Sequence, residues 1–180
     1  MSSGDQPTTP ANSVDNNNTS LPPQPSPPPQ SVTDVLNRPA DEFVNDPTIE
    51  GLWLTKAVQH MEVYFKLITS VPTARTLRLT PQDDQIYSDF RQQFPDLDVK
   101  QLTEDRLKCD EAKAKWRQYC NGLESVVDDF NYATLMRLDA RSDYSEANTI
   151  VVPRVQFLAI EVARNREGAN DGLDQQFSKQ

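Results

Sequence analysis

The spacing of apolar residues predicts helices in four segments of the chain. In residues 46–70, 80–94 and 103–130, apolar positions recur at three- and four-residue steps, as in an amphipathic helix with one buried face. Residues 155–163 of a helix that can begin at Pro153 are apolar on most sides, which is typical of a helix enclosed by other elements. We therefore expect four helices, with the last of them at the centre.

Capping residues support these boundaries. Asp46, Thr80 and Thr103 stand where an N-cap is needed, and a proline follows each of the first two. Such side chains accept hydrogen bonds from the free N–H groups of a first turn, and proline is tolerated there. Gly168 follows two arginines at the end of the last segment, as expected at a helix C-terminus.

A change of periodicity predicts a small sheet between the third and fourth helices. Residues 132–138 alternate with a period of two, and residues 149–152 are β-branched at all four positions, so the two segments are expected to pair as strands. Leu77 and Leu79 alternate with polar neighbours, which suggests a further short extended segment. The predicted fold class is α+β and mainly helical, with a two- or three-stranded antiparallel sheet.

Composition divides the chain into a tail and one domain. Nine of the 14 prolines and none of the 14 aromatic residues fall in residues 1–40, so this segment cannot bury enough apolar surface to fold. We expect it to be disordered, with residues 22–29 favouring polyproline II, either as a solvated spacer or as an SH3-type ligand. Residues 41–170 are expected to form a single domain, and residues 171–180 to be frayed.

Charge and composition exclude several functional classes. The 18 basic and 27 acidic residues give a net charge of −9, which argues against a nucleic-acid-binding surface. The sequence contains neither a Gly-rich phosphate loop nor an apolar stretch of membrane-spanning length, so we expect no cofactor and no membrane contact. It also lacks a basic and apolar leader. We expect a cytoplasmic protein in which Cys109 and Cys120 remain free thiols.

Candidate catalytic and metal-binding residues have ordinary structural interpretations. His60 is the only histidine and has no ligand-spaced partners. Asp96 and Asp98 have the DxD spacing with which glycosyltransferases hold a metal and a nucleotide sugar, but acidic chains contain such triplets by chance. The acidic pairs at 83–84 and 128–129 could support acid–base chemistry, although the first pair suits the first turn of a helix. We expect no metal site and no catalytic residue.

Two short segments are better suited to binding a partner protein. One is the charged stretch directly after the apolar fourth helix, and the other is the aromatic and amide cluster between the third helix and the strand. Arginine offers a bidentate fork to carboxylates, and arginine and tyrosine are frequent at protein–protein hot spots. The predicted contact residues are Phe130, Asn131, Tyr132, Arg137, Arg164, Arg166 and Glu167.

Four stretches of the sequence resemble a known eukaryotic family. They are AVQHMEVYFKLITSV (57–71), LTPQDDQIYSDFR (79–91), VVDDFNYATLMRLD (126–139) and YSEANTIVVPRVQFLAIEVARNREG (144–168). Together with the segments between them, they resemble the family named "polysaccharide biosynthesis domain-containing protein" over residues 45–170, in unbroken order.

The resemblance implies a chaperone rather than sugar chemistry. Members of the family are described as dedicated chaperones of translation elongation factor 1-alpha, which act near the ribosome on its newly made GTPase domain with help from the nascent polypeptide-associated complex. The resemblance therefore implies these two partners, no catalysis and a client whose own nucleotide binding drives release; we also expect a monomer. The alternative is a metal-dependent nucleotide-sugar enzyme that uses Asp96 and Asp98.

Overall fold

The computed structural model describes residues 47–177, with side chains from Glu50 onward. These residues lie within one compact unit. They form six α-helices, one short 3-10 helix and a two-stranded sheet: α1 Pro47–Thr69, α2 Asp83–Gln93, α3 Glu104–Lys108, α4 Asp110–Gly122, β1 Ala133–Arg137, the 3-10 helix Glu146–Asn148, β2 Thr149–Pro153, α5 Arg154–Arg166 and α6 Leu173–Phe177. The mainly helical α+β class is confirmed; the predicted Pro-rich tail and its PxxP spacings lie outside the described residues.

The first two helices follow the predicted pattern. Helix α1 runs over Pro47–Thr69 and buries Ala57, Tyr64 and Ile68 on one face. Helix α2 begins at Asp83 and has Gln82 as its N-cap, two residues later than the predicted start at Pro81 with Thr80 as the cap. The Asp83 carboxylate accepts the backbone N–H groups of Leu79 and Thr80, each at 2.8 Å. Asp83 thus closes the turn before α2, which confirms the structural interpretation of this acidic pair.

The predicted third helix is wrong in its length and continuity. Thr103 caps its start, since its side chain accepts the N–H of Arg106 at 3.3 Å. The backbone then becomes extended at Cys109, with φ −63° and ψ 159°, and α4 begins at Asp110. Helix α4 ends at Gly122, a residue of low helix propensity, and turns lead from there to β1. The apolar spacing continues through both interruptions, so it could not reveal them.

The predicted antiparallel pairing is confirmed, and of the two predicted sheet sizes, two or three strands, the described residues form the two-stranded sheet. Strands β1 and β2 are antiparallel, with Ala133 opposite Pro153 and Arg137 opposite Thr149. Residues 77–79 do not form a strand; Leu77 instead donates its N–H to the Ala74 carbonyl in a turn. Apolar and polar residues alternate at 77–79 because two partly buried leucines lie on a turn, not because the segment pairs in a sheet.

Helix α5 is the centre of the molecule, as predicted. Every residue from Val155 to Asn165 is buried, and α5 packs against α2, α4 and both strands. Gly168 adopts φ 76° just after it, in the left-handed region that favours glycine. The fraying predicted from residue 171 is wrong for residues 173–177, because they form α6 and bury Leu173 completely.

No helix in residues 47–177 has the length and apolar character required to cross a membrane.

Candidate functional site

Two of the predicted contact residues lie in the protein interior. Arg137 at the end of β1 and Arg164 on α5 are completely buried, and so is Glu161, one turn before Arg164. The Glu161 carboxylate lies 2.7 Å from Nη1 of Arg164 and 3.6 Å from Nη2 of Arg137. The prediction that these two guanidinium groups are offered to a partner is therefore corrected: the fold encloses them.

Nearly every polar atom of this buried charge cluster (Arg137, Glu161 and Arg164) is hydrogen-bonded. Arg164 donates to the carbonyl oxygens of Val99, Arg137 and Leu138 at 2.6–2.9 Å. Glu161 also accepts from Tyr64 and Asn170, at 2.8 and 3.1 Å. Nε of Arg137 has no partner among the described residues. These hydrogen bonds join α5 to β1, to α1 and to the segment of residues 98–102, so the role of the cluster is structural.

The electrostatics of Glu161 follow from its neighbours. Burial by itself raises the pKa of a carboxyl group, but Arg164 and Arg137 outweigh it, and the pKa of Glu161 is lowered. Burial and the adjacent carboxylate together raise the pKa of Tyr64 well above its ordinary value. The glutamate is therefore ionised and the tyrosine neutral at neutral pH.

Arg166 and Glu167 lie at the surface and contact α2. Arg166 donates to Asp84 at 2.6 Å, and its guanidinium group lies 4.9 Å from the ring centre of Tyr87. Glu167 accepts two hydrogen bonds from Arg91, each 2.7 Å long. Both predicted residues remain about 30% exposed, so a partner can reach them, although each already has an intramolecular partner.

Phe130, Asn131 and Tyr132 lie in the turn that leads into β1, where Asp129 adopts φ 53°. Phe130 and Tyr132 are half-buried, whereas Asn131 is exposed. Burial and the charge of Asp129 raise the pKa of Tyr132. Phe130 and Asn131 line a hollow of about 350 Å³ between this turn, α4 and β2.

We call this first hollow the α4 groove. Its walls are mainly apolar, and three basic side chains of α3 and α4 border it: Lys108, Lys113 and Arg117. Burial raises the pKa of Cys120, in the same wall, to about 11, so the thiol stays protonated. The remaining lining residues are Leu107, Trp116, Asn121, Val151, Val152, Pro153 and Gln156.

A second hollow, the α1 groove, lies between the start of α1 and the two strands. It has a volume of about 650 Å³ and is lined by Glu50, Gly51, Trp53, Leu54, Ala133 and Val151. The Trp53 indole N–H donates to the Ala133 carbonyl oxygen at 2.9 Å, which fixes α1 against β1. Val151 lines both grooves and is 45% exposed, so it links them into one partly apolar surface.

The sequence prediction included only part of this surface. Phe130 and Asn131 belong to it, but Val151 was assigned only to a strand, and Trp53 and Trp116 only to the apolar faces of helices. The alternation of β2 carried a signal, since Ile150 and Val152 are buried whereas Val151 between them is exposed. The grooves themselves combine segments far apart in sequence.

The candidate catalytic residues are not brought together. Asp96 and Asp98 are exposed, and Asp98 accepts the backbone N–H of Lys100 at 2.8 Å in a local turn. His60 lies at the surface with one side of its ring against Phe157, and this partial burial together with the nearby Arg154 charge lowers the His60 pKa. Within residues 47–177, no group of three His, Cys, Asp or Glu side chains is placed to hold a metal ion.

Comparison with known proteins identifies the family. The sequence model described as "PBDC1 protein" (polysaccharide biosynthesis domain containing 1) matches residues 49–175. Protein PBDC1 from Homo sapiens is 52% identical over 143 residues, which are 79% of this chain but only 61% of the human protein. The PBDC1 homolog from Saccharomyces cerevisiae is 44% identical over 129 residues, or 69% of this chain and 88% of that protein.

A solved structure agrees with the sequence comparisons. The solution NMR structure of protein yst0336 from Saccharomyces cerevisiae superimposes with a TM-score of 0.67 at 41% identity, and the match covers 76% of this chain and 96% of that one. The matched family region contains both grooves and the buried charge cluster. The chain therefore belongs to the PBDC1 family.

Proposed function

We propose that this protein is an ATP-independent chaperone of the newly made GTPase domain of translation elongation factor 1-alpha. It binds this client in the cytoplasm near the ribosome, where the nascent polypeptide-associated complex recruits it, and protects the client until the domain folds and binds nucleotide. It acts as a monomer without a cofactor and catalyses no reaction. The identity of the client rests on the resemblance to a family described in these terms.

The observation that carries the proposal is the surface formed by the two grooves. Half-exposed apolar side chains, including Leu54 and Val151 at 50% and 45%, surround a short strand. A surface of this kind is suited to another polypeptide rather than to a small polar substrate, because apolar area is gained along the length of a chain. The exposed DxD aspartates offer no comparable enclosure for a sugar nucleotide.

The distribution of charge also supports a basic client. The tail of residues 1–40 holds one basic and three acidic residues, so 17 basic and 24 acidic residues remain, and −7 of the total −9 belongs to residues 41–180. An elongation factor that carries RNA presents basic surface, and opposite net charge raises the rate of encounter. Association should therefore slow as salt is added.

Release of the client requires a change in affinity, because the chain has no phosphate loop with which to use ATP. We propose that the chaperone binds the incompletely folded or nucleotide-free GTPase domain more tightly than the GTP-bound domain. A tenfold difference in affinity corresponds to only about 1.4 kcal/mol, which the loss of a few contacts can supply.

A refolding assay tests the proposal. The denatured GTPase domain is diluted into buffer with GTP, with or without the full chain, and the recovered GTP-binding activity is measured. We expect the full chain to raise the recovery without ATP, and an Asp96→Ala, Asp98→Ala double variant to do so equally. Recovery no better than with an unrelated acidic protein would contradict the proposal. Metal-dependent turnover of a nucleotide sugar that this double variant loses would favour the enzyme instead.

A further inference from the structure

The outer edge of β2 has backbone groups that the fold leaves open. The Leu138 N–H donates to the Asn148 carbonyl oxygen at 2.9 Å. Because hydrogen-bonded pairs alternate along an antiparallel ladder, the register makes Met136–Ile150 and Thr134–Val152 the bonded pairs. The N–H and C=O groups of Val151 therefore point away from β1, toward the edge of the sheet.

The two edges of the hairpin differ in how they are covered. On β1, Trp53 donates to the Ala133 carbonyl oxygen and Arg164 to that of Arg137, each at 2.9 Å. On β2, the outward N–H and C=O of Val151 have no hydrogen-bond partner among residues 47–177; those of Leu135 on β1 have none there either, but α1 packs against that strand. An uncovered edge of this kind is a template for pairing with another extended chain.

The grooves provide space for the side chains of such a chain. Successive side chains of a strand point to opposite faces of a sheet. Val151 and Ala133, on one face, line the α1 groove, whereas the α4 groove is lined from both faces, by Val151 and Pro153 on that face and by Val152 on the other. A strand added beside β2 would therefore have a groove next to its side chains on either face, much as other edge-binding domains read their peptides.

The α4 groove also selects for charge. Three basic side chains border it and no Asp or Glu of the described residues lines it, although the protein as a whole is strongly acidic. Two of the three, Lys108 and Lys113, each form a long ion pair of 3.8 Å with an acidic residue of their own helix. Among residues 47–177, Arg117 forms neither an ion pair nor a hydrogen bond. The Gln156 side chain, 5% exposed at the groove, likewise has no hydrogen-bond partner there. These groups fit a carboxylate and a peptide carbonyl.

We propose that the outer edge of β2 binds an extended, not yet paired segment of the client's GTPase domain as an added strand. Backbone hydrogen bonds form at Val151, apolar side chains of the segment enter the grooves, and an acidic side chain faces Lys113 and Arg117. This inference rests on the proposed function. It also supplies the release step, because GTPase domains are built on a central sheet whose strands are paired once folding is complete.

Amide hydrogen exchange measured by NMR on the full chain tests the inference. Without client, the Val151 amide should exchange much faster than those of Ile150 and Val152, which are bonded within the ladder. With a saturating, nucleotide-free GTPase domain, we expect the Val151 amide to slow by about tenfold or more. Client binding with unchanged Val151 exchange would overturn the inference and leave the proposed function standing.

A pair of substitutions provides an independent measurement. Val151→Pro removes the outward N–H without breaking a ladder bond, as proline does on natural edge strands, whereas Val151→Thr keeps the N–H and the β-branched shape. We expect the proline variant to bind the client about tenfold more weakly and the threonine variant to bind as wild type does. Equal affinity of both variants would contradict strand addition; if the proline variant does not fold, the exchange measurement decides.

The outcomes separate the two proposals. Failure of the wild-type chain to bind the client contradicts the proposed function, and strand addition to this client with it. Protection of Val151 that appears without client and grows with protein concentration would assign the edge to a second copy of the chain, which overturns the inference alone.

Discussion

The buried charge cluster and the β2 edge invert the usual distribution of side chains between interior and surface. Inside, Arg137, Glu161 and Arg164 are fully buried, where apolar residues are the rule; outside, Val151 is nearly half exposed beside two apolar grooves. Arginine is a residue type that suggests contacts with a partner, but these two arginines hold the fold together. Valine is a residue type that suggests a place in the core, but Val151 borders the candidate binding surface. Residue type therefore suggests a role here, but the packing around each side chain decides it.

The two regions also differ in what a mutation should change. The buried charge cluster joins α5 to β1, α1 and the 98–102 segment, so damage there should lower the free energy of unfolding. The exposed side chains at the β2 edge and along the grooves, such as Val151 and Arg117, contribute little to the core, so damage to them should lower affinity and leave stability nearly unchanged. The following predictions test this division, beginning with the largest expected effect.

Glu161→Gln should give the largest loss of stability. The substitution leaves two buried guanidinium groups without a counter-charge, and breaking a buried pair in this way costs about 3–5 kcal/mol. Urea unfolding measures the change in free energy. The control is Glu124→Gln, at an exposed turn position, where about 0.5 kcal/mol or less is expected. Similar losses of unfolding free energy for the two variants would show that the cluster does not stabilise the fold.

Acid should weaken the wild-type protein through the same glutamate. Because the folded protein lowers the pKa of Glu161 below its ordinary value of 4.5, its stabilising contribution is complete above that value. It is lost as the pH falls through the lower, folded-state pKa. Unfolding free energies measured from neutral to acidic pH should therefore fall less steeply for Glu161→Gln than for wild type. Parallel curves would contradict an ionised Glu161.

Gly168→Ala should lower the free energy of unfolding by an intermediate amount. The glycine has φ 76°, and an added Cβ would collide with the Arg75 guanidinium group. A left-handed conformation costs an L-residue about 1–2 kcal/mol. The matched control is Gly51→Ala, in α1 with open space around it, where stability should be unchanged or slightly raised. Thermal unfolding of both variants measures their stabilities. An equal change in stability for the two variants would contradict a specific cost of the left-handed backbone at Gly168.

Arg117→Glu should change stability least and binding most. The side chain is exposed and makes no ion pair within the described residues, so the free energy of unfolding should shift by about 0.5 kcal/mol or less. Client binding should weaken, because the charge bordering the α4 groove is reversed. Arg106→Glu alters net charge equally at an exposed site outside the groove and is the control. Equal weakening by the two variants would indicate a general effect of net charge rather than recognition at the groove.

Much of the fold could be predicted because it follows local periodicity. The helical spacing located α1, α2 and α5, and the alternation around 132–138 located β1. The extended backbone at Cys109 could not be predicted, since the apolar spacing of α3 and α4 continues through it.

The site was less predictable because its parts are distant in sequence. Glu161 precedes Arg164 by one turn, which hints at a pair, but burial of both depends on Tyr64 and Asn170. Phe130 and Asn131 were predicted as contacts and do line the α4 groove. The exposure of Val151 could have been found from strand alternation, but the groove walls come from α1 and α4, which only tertiary packing brings to β2.

We propose that this chain binds the GTPase domain of the elongation factor and releases it when that domain binds nucleotide. Calorimetric titration of the full chain with the purified domain, first nucleotide-free and then loaded with GTP, measures this directly. The account predicts binding at least about tenfold tighter for the nucleotide-free domain, corresponding to about 1.4 kcal/mol. Equal affinity for the two forms, or no binding to either, would contradict it.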